Sequence, residues 1–211
     1  MRVRIKICGI TNVTDAQIAV ALGVDALGFV FVRQSARHVP VALAKSIIKQ
    51  LPPYTHAVGL FMDQSHDEVI EITTQLHLSS LQFHGSESPG FCQGFSVPFV
   101  KSIPMNEAIS PLDYAAQFPT ASGILLDSHQ FGGLGGQGMC FDWASIPQGF
   151  QKPLILAGGL TPDNIADAVA LVRPYAVDVS SGVERGKGKK DEEKMRAFVQ
   201  NVTGLSRGQA Q

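Results

Sequence analysis

Two side chains with acid–base chemistry stand at the ends of short apolar runs. Cys8 closes Arg4-Ile5-Lys6-Ile7-Cys8, and Asp127 closes Gly123-Ile124-Leu125-Leu126-Asp127. Each run reads as a buried strand, followed by a turn residue, Gly9 or Ser128. In a barrel of parallel strands the C-terminal ends all meet at one mouth. A thiolate and a carboxyl brought there from distant parts of the chain suit chemistry in which one proton leaves carbon while another arrives at oxygen. Each residue alone has a plainer reading. A free cysteine at a strand end is most often a small buried hydrophobe, and an aspartate there is often a cap or an ion-pair partner.

The elements that must carry these groups alternate from end to end. Strand patterns, most of them rich in Val, Ile, Leu and Phe, cover Val3–Cys8, Ala26–Phe31, Ala57–Met62, Ser80–His84, Phe99–Ile103, Gly123–Asp127, Pro153–Ala157 and Ala176–Ser180, as expected of parallel strands covered by helices. Helical patterns lie between them. Thr14-Asp15-Ala16-Gln17 and Ser65-His66-Asp67-Glu68 read as capping boxes. Pro40 opens a second helix, Thr161-Pro162 reads as N-cap and N1, and Asp191 opens the last helix. The segments Glu87–Gln93, Pro111–Phe118 and Asp142–Ile146 are weak, being short or broken by Pro and Gly. The expected fold is an α/β class (β/α)8 TIM barrel forming one domain over residues 1–203, with a flexible tail over 204–211. A doubly wound open sheet is the alternative, but the turn after the first strand reads Cys8-Gly9-Ile10-Thr11-Asn12 and carries no GxGxxG.

Strand alternation sorts the inward residues. If Cys8 faces the mouth, Lys6 shares its face; Gln82 pairs with His84, and Asp178 with Ser180. Closure sets the eighth strand beside the first, so Lys6 meets Asp178 inside, or Lys6 snorkels to the barrel floor instead. The turn Ala157-Gly158-Gly159-Leu160 follows the seventh strand and Ser180-Ser181-Gly182-Val183 the eighth. Barrels often bind phosphate with these two loops, through backbone N–H groups that need no arginine or lysine. The pair of sites points to a small phosphorylated substrate.

Composition removes several classes. The chain has 211 residues, 45% of them hydrophobic, and a net charge of −1, which argues against disorder, nucleic acid and anionic membranes. No apolar run reaches the ~20 residues of a membrane span, and no signal-peptide core follows Met1. Cys8, Cys92 and Cys140 lie far apart without a CxxC, consistent with a reducing cytoplasm. His56, His66, His77 and His129 read as surface or loop residues, and no spaced His/Asp cluster suggests a metal.

Lys6-Ile7-Cys8-Gly9-Ile10-Thr11, Gly28-Phe29-Val30-Phe31, Ser35-Ala36-Arg37, Gln82-Phe83-His84-Gly85, Leu125-Leu126-Asp127, Phe141-Asp142-Trp143, Gly158-Gly159-Leu160 and Asp178-Val179-Ser180-Ser181-Gly182-Val183-Glu184 occur in this order. Together they resemble the phosphoribosylanthranilate isomerases. The resemblance implies a barrel without a cofactor, acting as a monomer or homodimer. It implies an Amadori rearrangement of N-(5'-phosphoribosyl)anthranilate to 1-(2-carboxyphenylamino)-1-deoxyribulose 5-phosphate, the third step of tryptophan biosynthesis from chorismate. It carries the general base onto Cys8 and the general acid onto Asp127. The ligand of the anthranilate carboxylate falls on Arg37, and phosphate binding on Gly158, Gly159 and the segment Asp178, Ser180, Ser181 and Gly182. A carboxyl ordinarily titrates near ~4 and a thiol near ~8.5, so this mechanism asks burial to raise Asp127, and Lys6 or backbone dipoles to lower Cys8.

The chain departs from the family pattern in places. Ala36 stands where proline is frequent, His38 where tyrosine is, Gln137 where a small hydroxyl residue is, and Met139 where lysine is. The loop Phe131–Cys140 is longer and richer in glycine than usual, which bears on how it closes over substrate. Two rival readings remain at this level: another sugar-phosphate isomerase or epimerase on the same barrel, and a non-catalytic phosphate-binding relative.

Overall fold

Eight apolar runs pair in chain order, all parallel, and the last pairs with the first to close a barrel. This computed structural model describes residues 2–105, 110–128 and 140–208. The barrel strands are β1 (Arg4–Cys8), β2 (Ala26–Val30), β3 (His56–Phe61), β4 (Ser80–Phe83), β5 (Phe99–Pro104), β6 (Gly123–Asp127), β7 (Leu154–Leu156) and β8 (Ala176–Val179). The helices around them are α1 (Val13–Ala21), α2 (Val41–Ile48), α3 (His66–Leu76), α4 (Pro89–Gln93), α5 (Pro111–Ala116), α6 (Ile165–Val172) and α7 (Glu192–Gly208). A 3₁₀ turn, Trp143–Ser145, stands between β6 and β7. The strands agree with the apolar runs to within a residue or so at each end.

Alternation explains the layering. Ile5, Ile7, Leu27, Phe29, Phe61, Phe83, Ile124, Leu126 and Val177 are buried in the core shared with the helices. Burying such side chains stabilises by roughly 1.5–3 kcal/mol each. Phe83 contacts Phe91, Phe95 and Phe99, with ring centroids 5.4–5.7 Å apart. That aromatic cluster, with the Ser88 cap and Pro89, holds the five-residue α4, which intrinsic propensity alone would not sustain.

Two helix starts differ from the sequence expectation. The N-cap of α1 is Asn12, not Thr14: its side chain accepts from the Asp15 N–H at 2.8 Å and donates to the Asp15 carboxylate at 2.7 Å. Asn12 is the residue still extended as the chain leaves the turn at Gly9, so it reaches the orphan amide first. Likewise α6 starts at Ile165, because the Asn164 side chain folds back to accept from Thr161 N–H and donate to Gly159 O. Thr161-Pro162 is spent on that turn. Ser65 caps α3 as the pattern suggests. Asp191 accepts from the Lys194 N–H at the start of α7, which runs to Gly208. Residues 209–211, His129 and the whole of the glycine-rich loop before Cys140, with Gln137 and Met139, lie outside the described residues. Among the described residues no helix is long and apolar enough to cross a membrane.

One short hairpin had no sequence signal. β9 (Glu184–Gly186) and β10 (Lys189–Lys190) pair antiparallel between β8 and α7. Thr11 after β1 donates to the Gly188 carbonyl, and the Lys190 N–H donates to Asp15 of α1. The hairpin thereby ties the chain after the last strand to the chain after the first.

A charged pair is also buried beside the aromatic cluster. Lys101 of β5, fully buried, donates to Glu87 at 2.8 Å and to the Gly85 carbonyl. Glu87 in turn accepts from the Asp63 and Gly85 N–H groups, joining the loops after β3 and β4. Removing one member of such a pair strands the other charge. Glu87→Ala should therefore cost about 3–5 kcal/mol in urea unfolding. The double change Glu87→Leu with Lys101→Met should recover most of it; a double variant no more stable than the single would contradict this account.

Candidate active site

A cavity opens at the C-terminal ends of the strands, with about 680 Å³ of space counting its mouth, a size that suits a small organic ligand. Cys8 from β1 and Asp127 from β6 both line it, together with Arg37, Gly158, Gly159, Asp178, Ser180 and Ser181. Gly182 is not part of the lining. It lies behind it, where a Cβ would fall 1.9 Å from the Leu160 carbonyl oxygen. The bare glycine is what lets the loops after β7 and β8 touch. Gly158, with φ of +80°, turns the chain tightly past Ser128 and Asp127.

The register of β1 against β8 sets Lys6 opposite Asp178, and Lys6 Nζ donates to Asp178 Oδ2 at 2.9 Å. Lys6 also reaches the Cys8 thiol. Burial works against the ammonium, but Asp178 and Cys8 outweigh it and hold the Lys6 pKa above its ordinary value. For Cys8 the balance runs the other way from the sequence expectation. Burial pushes the thiol up, Asp178 adds to this, and the pull of Lys6 only partly offsets it. A thiolate deep in the barrel loses more hydration than one ammonium returns. Asp178 Oδ1 is buried without a hydrogen-bond partner among the described residues.

Across the cavity, Asp127 Oδ1 accepts from the Ser128 N–H at 2.7 Å. His84 Nε2 lies 3.6 Å from Asp127 Oδ2, and Gln82 Nε2 lies 3.5 Å from His84 Nδ1. Gln82 and His84 are marked in sequence by sharing an inward face and by lying in one of the motifs of the resemblance; the approach of His84 to Asp127 needs the barrel to be closed.

Arg37, from the loop after β2, is held by the hairpin. Its Nε and Nη2 donate to the two carboxylate oxygens of Glu184 at 2.8 and 2.9 Å. Lys190 Nζ donates to the same carboxylate at 2.9 Å and to Ser180 O at 3.2 Å. Ser180 Oγ in turn donates to Cys8 O at 3.1 Å. The Glu184 bonds, more than burial, set Arg37, and its pKa rises above the ordinary value. Burial would raise the Glu184 carboxyl, but Arg37 and Lys190 hold it below the usual range. Glu184 and Lys190 carry no such message in sequence. Lys190 ends the run Lys187-Gly188-Lys189-Lys190, which reads as a solvated turn. Among the described residues no cluster of three His, Cys, Asp or Glu side chains is disposed to hold a metal ion.

Known proteins resemble this chain in sequence and fold. Residues 5–201 match the family model described as N-(5'phosphoribosyl)anthranilate (PRA) isomerase. An N-(5'-phosphoribosyl)anthranilate isomerase of Pseudomonas fluorescens (strain Pf0-1) is 52% identical over 200 residues, covering 95% of this chain and 98% of its own. The crystal structure of the Thermus thermophilus phosphoribosyl anthranilate isomerase superposes with a TM-score of 0.86 at 37% identity, over 96% of this chain and 99% of the other. Another phosphoribosyl anthranilate isomerase, crystallised in complex with reduced 1-(o-carboxyphenylamino)-1-deoxyribulose 5-phosphate, superposes with a TM-score of 0.78 at 33% identity, over 96% and 99% of the two chains.

The Cys8 environment has a direct chemical readout. In a Cys92→Ala, Cys140→Ser background, alkylation by iodoacetamide reports Cys8 alone. Its pH midpoint should lie above that of a free thiol, since burial disfavours the thiolate. Lys6→Met removes the one neighbour of β1 that lowers it, so the midpoint should move further up; a downward move would show that Lys6 does not act on Cys8.

Proposed function

The chain belongs to the N-(5'-phosphoribosyl)anthranilate isomerase family, and from that premise we propose how its cavity performs the reaction. The protein is an isomerase of tryptophan biosynthesis that converts N-(5'-phosphoribosyl)anthranilate to 1-(2-carboxyphenylamino)-1-deoxyribulose 5-phosphate. The observation that carries the proposed mechanism is the convergence of Cys8, Asp127 and Arg37 on one cavity that also has two glycine-bearing turns.

Asp127, protonated, gives its proton to the furanose ring oxygen. The C1–O bond breaks, and the anilino nitrogen lone pair forms a C1=N iminium. That cation acidifies the C2 proton, which Cys8 takes as thiolate. The C–H electrons become the C1=C2 double bond, and the iminium electrons return to nitrogen. In the final tautomerisation the C2 hydroxyl proton returns to Asp127 and the Cys8 thiol protonates C1, so both groups are restored. Lys6 stands beside the sulfur and favours the thiolate as it forms. His84 fixes the Asp127 carboxyl on its far side.

Arg37 takes the anthranilate carboxylate, with the geometry a planar guanidinium offers. Backbone of Gly158, Gly159, Ser180 and Ser181 takes the phosphate, and Gly182 keeps the two loops together. Asp178, through its unpartnered Oδ1, accepts from a sugar hydroxyl. The protein works in the cytoplasm as a monomer or homodimer, on a small phosphorylated substrate and without a nucleic-acid or membrane partner; its net charge of −1 is in keeping with this.

Loss of anthranilate-type fluorescence on mixing with N-(5'-phosphoribosyl)anthranilate is the assay. Cys8→Ala and Asp127→Asn should each lower kcat by about 10²–10⁴-fold, the range for losing a general base or acid. Near-wild-type turnover in either variant refutes its assignment. Arg37→Ala should raise KM far more than it lowers kcat; an unchanged kcat/KM would remove Arg37 from the substrate site.

A further inference from the structure

The substrate in the reading above carries two different anions, a monoanionic carboxylate at one end and a phosphate at the other. Among the described residues lining the cavity, Arg37 is the single arginine or lysine. A guanidinium binds carboxylate and phosphate alike, both in bidentate fashion. Left alone, the cationic end would draw the more highly charged phosphate and seat the substrate backwards, with C2 away from Cys8. Something must weaken the pull of that end on the dianion.

Resting on that functional reading, we propose that Glu184 is the residue that sets substrate polarity: it orients the Arg37 guanidinium and subtracts charge from that end of the cavity, so that a carboxylate is accepted there and phosphate is left to the glycine turns. The geometry supports both parts. Glu184 grips Nε and Nη2 together, which fixes the guanidinium plane. It sits between Arg37 and Lys190 and donors from both meet its carboxylate, so it sets one negative charge directly against the Arg37 guanidinium. The side chains of Arg37, Glu184 and Lys190 are 11%, 5% and 0% exposed, so solvent screens these charges poorly.

The selectivity follows from charge arithmetic. The interaction with a fixed charge scales with the charge on the ligand. Adding one negative charge therefore penalises a dianion twice as much as a monoanion, and the carboxylate gains relative preference. This is discrimination by a built-in repulsive element, as specificity often requires. The hairpin makes the element rigid, because Glu184 is also anchored through its own carbonyl, which accepts from Lys194 Nζ at 2.9 Å.

Double-inhibition kinetics with inorganic phosphate and anthranilate test this in the full-length enzyme. In the wild type the two should bind together, one at each end of the cavity. In Glu184→Gln, which keeps the shape and removes the charge, phosphate should inhibit about tenfold more strongly and should exclude anthranilate. Glu184→Asp keeps the charge but is too short to grip both nitrogens; KM should rise about tenfold with kcat within about threefold, and the two inhibitors should still bind together. The Asp variant carries the test if the Gln variant does not fold. A Gln variant with wild-type phosphate inhibition and joint binding overturns the charge role, and an Asp variant with wild-type KM overturns the orienting role. A wild type that turns over N-(5'-phosphoribosyl)anthranilate while these variants behave like it sinks this proposal alone. A wild type that neither turns it over nor binds anthranilate sinks the functional reading, and this one with it.

Discussion

The pairing of β8 with β1 is the constraint on which the other features rest. Without it the sheet has two open edges, Lys6 lacks its counter-ion, and the segments carrying Cys8 and Ser180 have no fixed separation. With it, Lys6 faces Asp178 across adjacent strands at 2.9 Å. A buried ion pair adds little net stability, because two ions must be stripped of water. Its contribution here is to register: a slip by one residue would turn Lys6 into the hydrophobic layer between strands and helices, where Ile5 and Ile7 belong. The same ammonium then serves the thiol two residues further on.

The cavity divides its electrostatics by wall. On the β1–β8 side, a cation, an anion and a thiol are packed in contact, and burial dominates the thiol's titration. On the β4–β6 side, His84 and the Ser128 amide bracket the Asp127 carboxyl. Outside the barrel proper, Arg37 is clamped by a carboxylate that two cations share. Each charged group is therefore met by an opposite or hydrogen-bonding partner from a different segment. Such arrangements are costly to leave half-built, and they tie the chemistry of the mouth to the integrity of the fold.

Much of this was legible in the chain, for physical reasons. Strands covered by helices carry apolar residues on that face, so most of the eight appear as runs rich in Val, Ile, Leu and Phe, and a period of two sorts Lys6, Gln82, His84 and Asp178 inward. The contact between Lys6 and Asp178 follows once the barrel closes. Helix starts were less legible, because caps compete: Asn12 and Asn164 took positions that Thr14 and Thr161 could equally have filled, and only the path of the preceding turn decides between them. Lys101 and Lys190 were illegible as buried charges. One sits in a largely apolar strand and the other in a basic turn, and their partners are 14 and 6 residues away with no periodicity to link them. The direction of the Cys8 shift was also hidden, since it depends on how completely the barrel interior excludes water.

The hairpin of β9 and β10 has a consequence for biosynthesis on the ribosome. Domains generally take shape as units while the N-terminal part emerges first. Here Arg37 must wait for a residue 147 positions later, and Lys6 for one 172 positions later, before either finds its carboxylate. A nascent chain can form its early β–α units in turn, yet the pocket has no competent geometry until almost the whole polypeptide has left the exit tunnel. A chain released early would expose an unpaired ammonium and an open sheet edge together, both cues for quality control rather than partial activity.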